Sequence, residues 1–403
     1  VVRVRELENE VGCFFDRNSD GSLHHKAFAG QTFDRTVHKG DLTGIEIISR
    51  LMEQVFATNV ERMEEHRAIA FIPSRDGGEL SGVLMIDMRT GGLRFVRAKA
   101  VLMATGGGPT MYRYHTPSGD KSMDGLSMAL RLGLPLRDME MVQFHPTGLL
   151  GGENTRMTGT VLEEGLRGAG GYLLGGDKER FMFNYAEKGE RATRDVVSRA
   201  IFDEMRGGNT TPNGGVYISM SHLGPEDVAK RFSGMVKRCA DSGFDLAGGL
   251  VEVVPTAHYL MGGLVCDIDT RTEMPGLYVA GEDAGGAHGS NRLGGNGVAN
   301  STVYGGVAGD IMAVDAANTA YLRDPDESIL DIHTIRDRLM QIMWDDVGIM
   351  RTEETLVRGL GRIRTLRSEL MECGLADSGR AFNLTWHDWL NVQSLIDTSE
   401  TIA

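Results

Sequence analysis

Five short segments carry residue types that can work on a small anion. QFHPTG (143–148) sets His145 before a proline-fixed turn, and PTAHYLMGG (255–263) sets His258 before a glycine turn. EEGLRGAGG (163–171) joins two carboxylates, Glu163 and Glu164, to Arg167 and a glycine loop. TRDVVSRA (193–200) opens with Arg194 and Asp195 at a predicted helix start, and HGSNRLGGNG (288–297) places Arg292 among glycines. Two or more cations converging on a small site is what a dicarboxylate requires, because a guanidinium binds a carboxylate in a fixed fork. Each segment also has a plain reading. A histidine before proline serves as a turn residue, Arg–Asp at a helix start as a cap or surface ion pair, EExxxR as a solvated helix face and GGNG as a turn. Their joint occurrence on loops favours the chemical reading.

These segments need elements to hold them. Residues 41–57 carry apolar residues at helical spacing, with Asp41 as the predicted N-cap. GVLMIDM (82–88) and LRFVRAKAVLMAT (93–105) predict a hairpin feeding a buried strand, which ends in the glycine turn ATGGG. A short helix is predicted over 124–134. The stretch 144–257 changes to loops, polar helices and charge, and reads as an inserted domain. GLYVAGE (276–282) reads as a short strand, a helix follows Gly297 to near Val314, and 328–372 is strongly helical.

Length and composition bound the reading. The chain has 403 residues, more than one core usually serves. Its 54 glycines cluster after apolar runs, which suits a nucleotide-binding α/β protein. A net charge of -14 argues against nucleic acid as a partner, yet leaves room for a locally positive pocket. Cys13, Cys239, Cys266 and Cys373 stand far apart without a CxxC pair, so the sequence offers no zinc or iron–sulfur framework and no metal ligands are assigned. Scattered thiols suit a reducing cytoplasm. No apolar run reaches the ~18–20 residues of a membrane span, so any membrane link runs through partners.

Taken in order, ATGG, DG-x-x-MA, DME-x-x-QFHPTG, EG-x-RG-x-GG, ERFM, RDVVSRA, HY-x-MGG, GLYVAGE and HG-x-NRLGGN resemble the flavoprotein subunit of succinate dehydrogenase and fumarate reductase, with L-aspartate oxidase a close relative. The resemblance runs from about Phe14 to the end. It implies an α/β fold, α+β overall: a Rossmann-like FAD-binding domain over 1–143 and 258–320, a capping domain inserted over 144–257, and a helical domain over 328–403. The family's GxGxxG strand–turn–helix unit, the segment with the histidine that bonds covalently to FAD, and an arginine-bearing tail are not found. The expectation is a fragment truncated at both ends, with an incomplete FAD domain that binds FAD weakly or not at all.

The resemblance also implies roles. Arg292 would clamp a substrate carboxylate, and His145 and His258 would bind substrate. Arg194 would pass a proton to fumarate or take one from succinate, with Glu164 and Arg167 linking it to solvent. Ala104, Thr105, Gly106, Gly107, Asp124, Glu282, Gly294 and Asn296 would lie along the FAD. Flavin N5 would exchange a hydride at one carbon while a proton moves at its neighbour. By residue type alone a histidine would be chosen for the proton, since arginine's pKa exceeds ~12; the choice of Arg194 rests on the resemblance.

The sequence departs from the respiratory pattern in four places. Glu163 stands where threonine is usual, at a substrate contact. A second carboxylate facing a dianion would repel it unless it turns away, is protonated or meets an amine. RGAGG replaces RGEGG, the loop 149–162 is longer and adds Arg156, and GNGVANSTVYGG ends differently. The primary expectation is interconversion of succinate and fumarate, or a related small dicarboxylate. Electrons would pass to an iron–sulfur partner protein, and the location would be cytoplasmic or peripheral at the inner face of the cytoplasmic membrane. The alternatives are a soluble flavin oxidase such as L-aspartate oxidase, with Glu163 meeting an amino group, or a non-catalytic fragment. The forecast is that His145, Arg194, His258 and Arg292 converge on one cavity beside a groove for FAD.

Overall fold

The computed structural model describes the chain except residues 27, 29–30, 75–76, 152–156, 320–333 and 374–383. In chain order come α1 (Val2–Asn9), β1 (His25–Lys26), β2 (Thr36–Val37), α2 (Thr43–Ala57), β3 (His66–Pro73), β4 (Leu80–Asp87), β5 (Gly92–Arg97), β6 (Val101–Met103) and α3 (Asp124–Arg131). Then follow β7 (Leu136–Arg137), β8 (Val142–Leu149), α4 (Glu164–Gly168), β9 (Tyr172–Leu174), α5 (Arg194–Arg206), β10 (Val216–Ser219), α6 (Pro225–Arg231) and α7 (Ser233–Ala240). The chain closes with β11 (Leu250–Leu260), β12 (Gly263–Leu264), β13 (Leu277–Val279), α8 (Asn296–Asn318), α9 (Thr334–Asp345), α10 (Glu353–Cys373) and α11 (Leu384–Ile402).

The predicted hairpin is β4 against β5, in register from Gly82↔Arg97 to Asp87↔Gly92. It is extended by β3 into an antiparallel meander. The strand it feeds, β6, pairs in parallel with β13. Both enter one apolar cluster with α3 and with the C-terminal helices, including Met103, Leu126, Val279, Leu366 and Ile396. The second cluster lies around the four-stranded sheet β8-β11-β10-β9 and includes Leu149, Leu166, Val197, Ile218 and Val253.

Four sequence expectations shift. Asp41 does not cap α2, which starts at Thr43 with Leu42 in the cap position. Thr43 takes that turn instead, its hydroxyl accepting the Lys39 amide at 3.0 Å. The stretch 144–257, read as loops and polar helices, holds an antiparallel sheet. Pro255 hid one strand, because a proline inside a run argues against strand; here it sits at a register shift between Val254 and Thr256. The helix after Gly297 continues past Val314 to Asn318. The helical stretch 328–372 breaks between Asp345 and Glu353, its residues 328–333 lying outside the described ones. Arg156 likewise lies outside the described residues.

Candidate active site

The site lies where the two apolar clusters share the strand pair β8–β11. Phe144 and Ala257 belong to the first cluster, Leu149 and Val253 to the second. His145 stands on β8 opposite Thr256 of β11, two residues before His258. Arg194 opens α5, which is pinned to β8 by the Ser198 hydroxyl donating to the Phe144 carbonyl at 3.0 Å. Glu164 and Arg167 lie on the one-and-a-half-turn helix α4, three residues apart and so on one face. Arg292 enters from the glycine turn before α8.

Glu164 is the hub. Its carboxylate accepts Arg194 Nε at 2.7 Å through Oε2 and an Arg167 Nη2 hydrogen bond through Oε1. His145 Nε2 stands 3.3 Å from Oε2, outside hydrogen-bonding geometry. Burial works against the Glu164 charge, but Arg167 and Arg194 outweigh it and hold the carboxyl well below its usual range. Burial also lowers Arg167, which donates to the Glu190 carbonyl at 2.7 Å. Arg194 Nη1 donates to Gln143 Oε1 at 3.0 Å, while Gln143 Nε2 donates to the Arg292 carbonyl at 2.7 Å. One amide thus ties both arginine segments together.

Arg292 has a different environment. It is 6% exposed, its guanidinium lies 4.3 Å from the centre of the Tyr259 ring, and its Nε is buried without a hydrogen-bond partner. Among the described residues no carboxylate stands within ion-pair distance of it. Burial first, and then the Arg194 charge, pull its pKa down to about 10. Two guanidiniums facing one cavity, one of them without a carboxylate partner among the described residues, make a candidate anion site. The opening glycines have a steric reason: a Cβ at Gly297 would stand 3.0 Å from Arg292 Nη1. His258 is held neutral, its pKa well below 6.5, by burial and then by Arg194, His145 and Arg292. Its Nδ1 pairs with the Thr116 hydroxyl at 2.8 Å.

Two cavities meet here. One, of about 550 Å³, is lined by Lys26, Glu163, Arg194, His258, Arg292, Gly294 and Asn296 among others. The second, a groove of about 570 Å³, runs past Ala104, Gly106, Gly281, Glu282 and Gly297 and also touches His258 and Arg292. Arg194, His258 and Arg292 therefore converge as forecast. His145 does not reach the cavity wall: it is 1% exposed and stands behind Arg194 and Glu164. Burial pushes its pKa down to about 4, and its Nδ1 faces the Thr147 amide at 3.3 Å.

The groove fits an extended cofactor. Ala104, Gly106, Gly281, Gly297 and Gly305 leave backbone open along one part of its wall, Ile47, Ile48, Leu51, Leu102 and Tyr259 give it apolar surface, and the Glu282 carboxyl there is raised by burial to about 7. Glu282 folds over Gly107, where any Cβ would stand 1.9 Å from its carboxyl. The α8 N-terminus, with no side-chain cap, opens beside it. Thr105 faces away from the groove and donates to Asp283 at 2.9 Å. Asp124 is also outside the groove, ion-paired to Arg67 at 2.6 Å.

One residue had no signal in the sequence. Lys26, on the short strand β1, reaches Glu163 across 137 positions and forms an ion pair with its Oε1. Of the three escapes open to Glu163, the structure takes the amine. A single lysine in a polar stretch carries no pattern that would have singled it out.

Known proteins resemble this chain along most of its length. A family model described as "FAD binding domain" matches residues 2–298, and one described as "Fumarate reductase flavoprotein C-term" matches 336–403. The fumarate reductase flavoprotein subunit of Escherichia coli is 33% identical over 408 residues, covering 92% of this chain and 66% of its own. L-aspartate oxidase 1 of Ralstonia nicotianae is 33% identical over 405 residues, covering 96% and 74%. The structure of quinol fumarate reductase FrdA from Escherichia coli superposes with a TM-score of 0.90 at 31% identity, covering 100% of this chain and 73% of that one. By these matches the chain belongs to the FAD-dependent flavoprotein family of fumarate reductase and succinate dehydrogenase, and it is an FAD-dependent oxidoreductase.

Proposed function

We propose that this enzyme interconverts a saturated and an unsaturated small dicarboxylate, succinate and fumarate being the simplest pair. The observation that carries this is the pair of buried guanidiniums, Arg194 and Arg292, on one cavity, with Arg292 lacking any carboxylate partner among the described residues. FAD, when bound, supplies the two-electron redox chemistry. Arg292 holds one carboxylate, and neutral His258 hydrogen-bonds the same substrate from the side shared by cavity and groove. Clamping both ends fixes the reacting carbons, and the cations stabilise the enolate-like charge that develops beside a carboxylate.

Arg194 moves the proton. A guanidinium is in general a weak acid, so it must exchange the proton quickly with a neighbour. Glu164, on Nε, is that neighbour, and Arg167 continues the path. His145 is a positioning residue behind Glu164 rather than a substrate contact. Electrons would leave for an iron–sulfur partner, as the resemblance implies, and any membrane association would come through such partners; no described helix is long and apolar enough to cross a membrane.

A second reading, an oxidase acting on an amino dicarboxylate, is favoured by Glu163 on the cavity wall. The test uses FAD-loaded protein. Oxidised enzyme is mixed with succinate or L-aspartate and reduced enzyme with fumarate, following flavin absorbance. Bleaching by succinate or reoxidation by fumarate is the expected result, abolished by Arg194→Ala. Bleaching by L-aspartate with hydrogen peroxide release selects the oxidase, and silence with all three acids overturns the dicarboxylate reading.

A further inference from the structure

The cavity carries one feature the proposed reaction does not use. Lys26 and Glu163 sit side by side on its wall, together with Arg194 and Arg292. Lys26 has its ammonium on Glu163 Oε1, with the Gly40 carbonyl 3.4 Å away. The second carboxylate oxygen, Oε2, is buried and has no hydrogen-bond partner. An unpaired carboxylate oxygen is a costly group to bury, and a donor on a bound molecule removes that cost. The terminal torsion of a glutamate is broad, so either oxygen can turn to the cavity.

Charge decides what the pair permits. The lysine cancels Glu163, so the wall keeps the positive charge of Arg194 and Arg292 for a dianion. The pair therefore adds a hydrogen-bond acceptor to a dicarboxylate site without turning the site against carboxylates. Succinate has no donor to offer it, since its carbons bear only hydrogens. A dicarboxylate with a hydroxyl or ammonium next to one carboxylate does.

We propose that Glu163, neutralised by Lys26, is the specificity-determining residue of this cavity, and that the substrate is a small dicarboxylate bearing a hydrogen-bond donor beside a carboxylate. This rests on the dicarboxylate reading above. It goes further by naming the substituent and the residue that reads it. Lys26 acts through Glu163 and is a positioning residue.

The test measures affinities of succinate, L-malate and L-aspartate for the FAD-loaded protein, by calorimetry and by perturbation of the flavin spectrum. A charge-assisted hydrogen bond predicts that L-malate or L-aspartate binds at least about tenfold tighter than succinate, equivalent to about 1.4 kcal/mol. Which of the two is favoured tells hydroxyl from ammonium. In Glu163→Ala the preference falls below about threefold, because the acceptor is gone while Lys26 still attracts the carboxylates of all three acids. In Lys26→Met succinate and L-malate weaken, since Glu163 then faces the dianions uncompensated, while L-aspartate weakens less because its ammonium meets the freed carboxylate. A general structural role for the pair would move the three affinities by one common factor in both variants.

Equal affinities in the wild type overturn the proposal without needing any variant to fold. So does a preference that survives Glu163→Ala. If succinate and fumarate react with the flavin but the affinities are flat, this inference falls and the dicarboxylate reading stands. If none of the three acids binds, both fall.

Discussion

Replacing Glu164 by glutamine tests the centre of the site. Each Glu164 oxygen serves one guanidinium: Oε2 accepts Arg194 Nε at 2.7 Å, and Oε1 accepts Arg167. A glutamine supplies one oxygen and one NH2, so one arginine is left facing a donor. Arg167 is 0% exposed and cannot turn to water, while Arg194, 8% exposed, has only the cavity to turn to. Leaving a buried cation unpaired costs about 3–5 kcal/mol. The sign with pH follows from the depressed Glu164 pKa. Its contribution is present above the ordinary value of 4.5 and is lost as pH falls through the lower folded value. Denaturant unfolding of wild type and Glu164→Gln should therefore differ by about 3–5 kcal/mol at pH 7, and the gap should narrow on acidification. If Glu164 also passes the proton, turnover falls by about 100-fold or more. A gap below about 1 kcal/mol at pH 7 would show that the guanidiniums do not depend on Glu164 and would remove the relay with it.

Three further outcomes follow. Arg292→Lys keeps the charge but loses the fork, and should weaken dicarboxylate binding roughly 10-fold or more with flavin content unchanged, measured by titration. Gly107→Ala places a methyl group where the Glu282 carboxyl stands, 1.9 Å away, and should lower FAD retention on gel filtration. Glu282, raised to about 7, favours its neutral form in the fold, so its contribution is full below 4.5 and is lost as pH rises through 7. His145 and His258, lowered by burial, run the other way below 6.5. The signature is therefore the difference between Glu282→Gln and wild type in FAD-free protein: the variant gains relative stability from pH 5 to 8, and a flat difference refutes the assignment.

What the sequence disclosed depended on range. Arg194, His258 and Arg292 stood in segments whose local chemistry was visible, and their meeting on one cavity was forecast. The hairpin β4–β5 was legible because both strands and their glycine turn are contiguous. Lys26 was not legible, since its meaning comes from a partner 137 residues away. His145 was visible as a chemical residue, but its distance from the cavity was not, because depth behind Arg194 is set by packing rather than spacing. The sheet around β11 was missed because Pro255 breaks the strand pattern, and only the register shows the bulge that accommodates it. Asp41 looked like a cap by type, and the competing Thr43 turn decided otherwise.

The location of the site follows from this same strand pair. Arg194 belongs to a helix bonded to β8, on the side of the second apolar cluster, whereas Arg292 stands in the turn before α8, which packs on the side of the first. A substrate held by both arginines therefore bridges the two cores, and Gln143, hydrogen-bonded to Arg194 and to the Arg292 carbonyl, sets the spacing between them. The Arg194 charge works against that of Arg292, and an anion between them offsets the repulsion. Arg194 is already aligned by Glu164 and Gln143, so an anion that enters meets a preset pair of cations and relieves their repulsion. On the proposed reading, the proton-moving Arg194 and the carboxylate-holding Arg292 stand on different cores, and the substrate is the link between them.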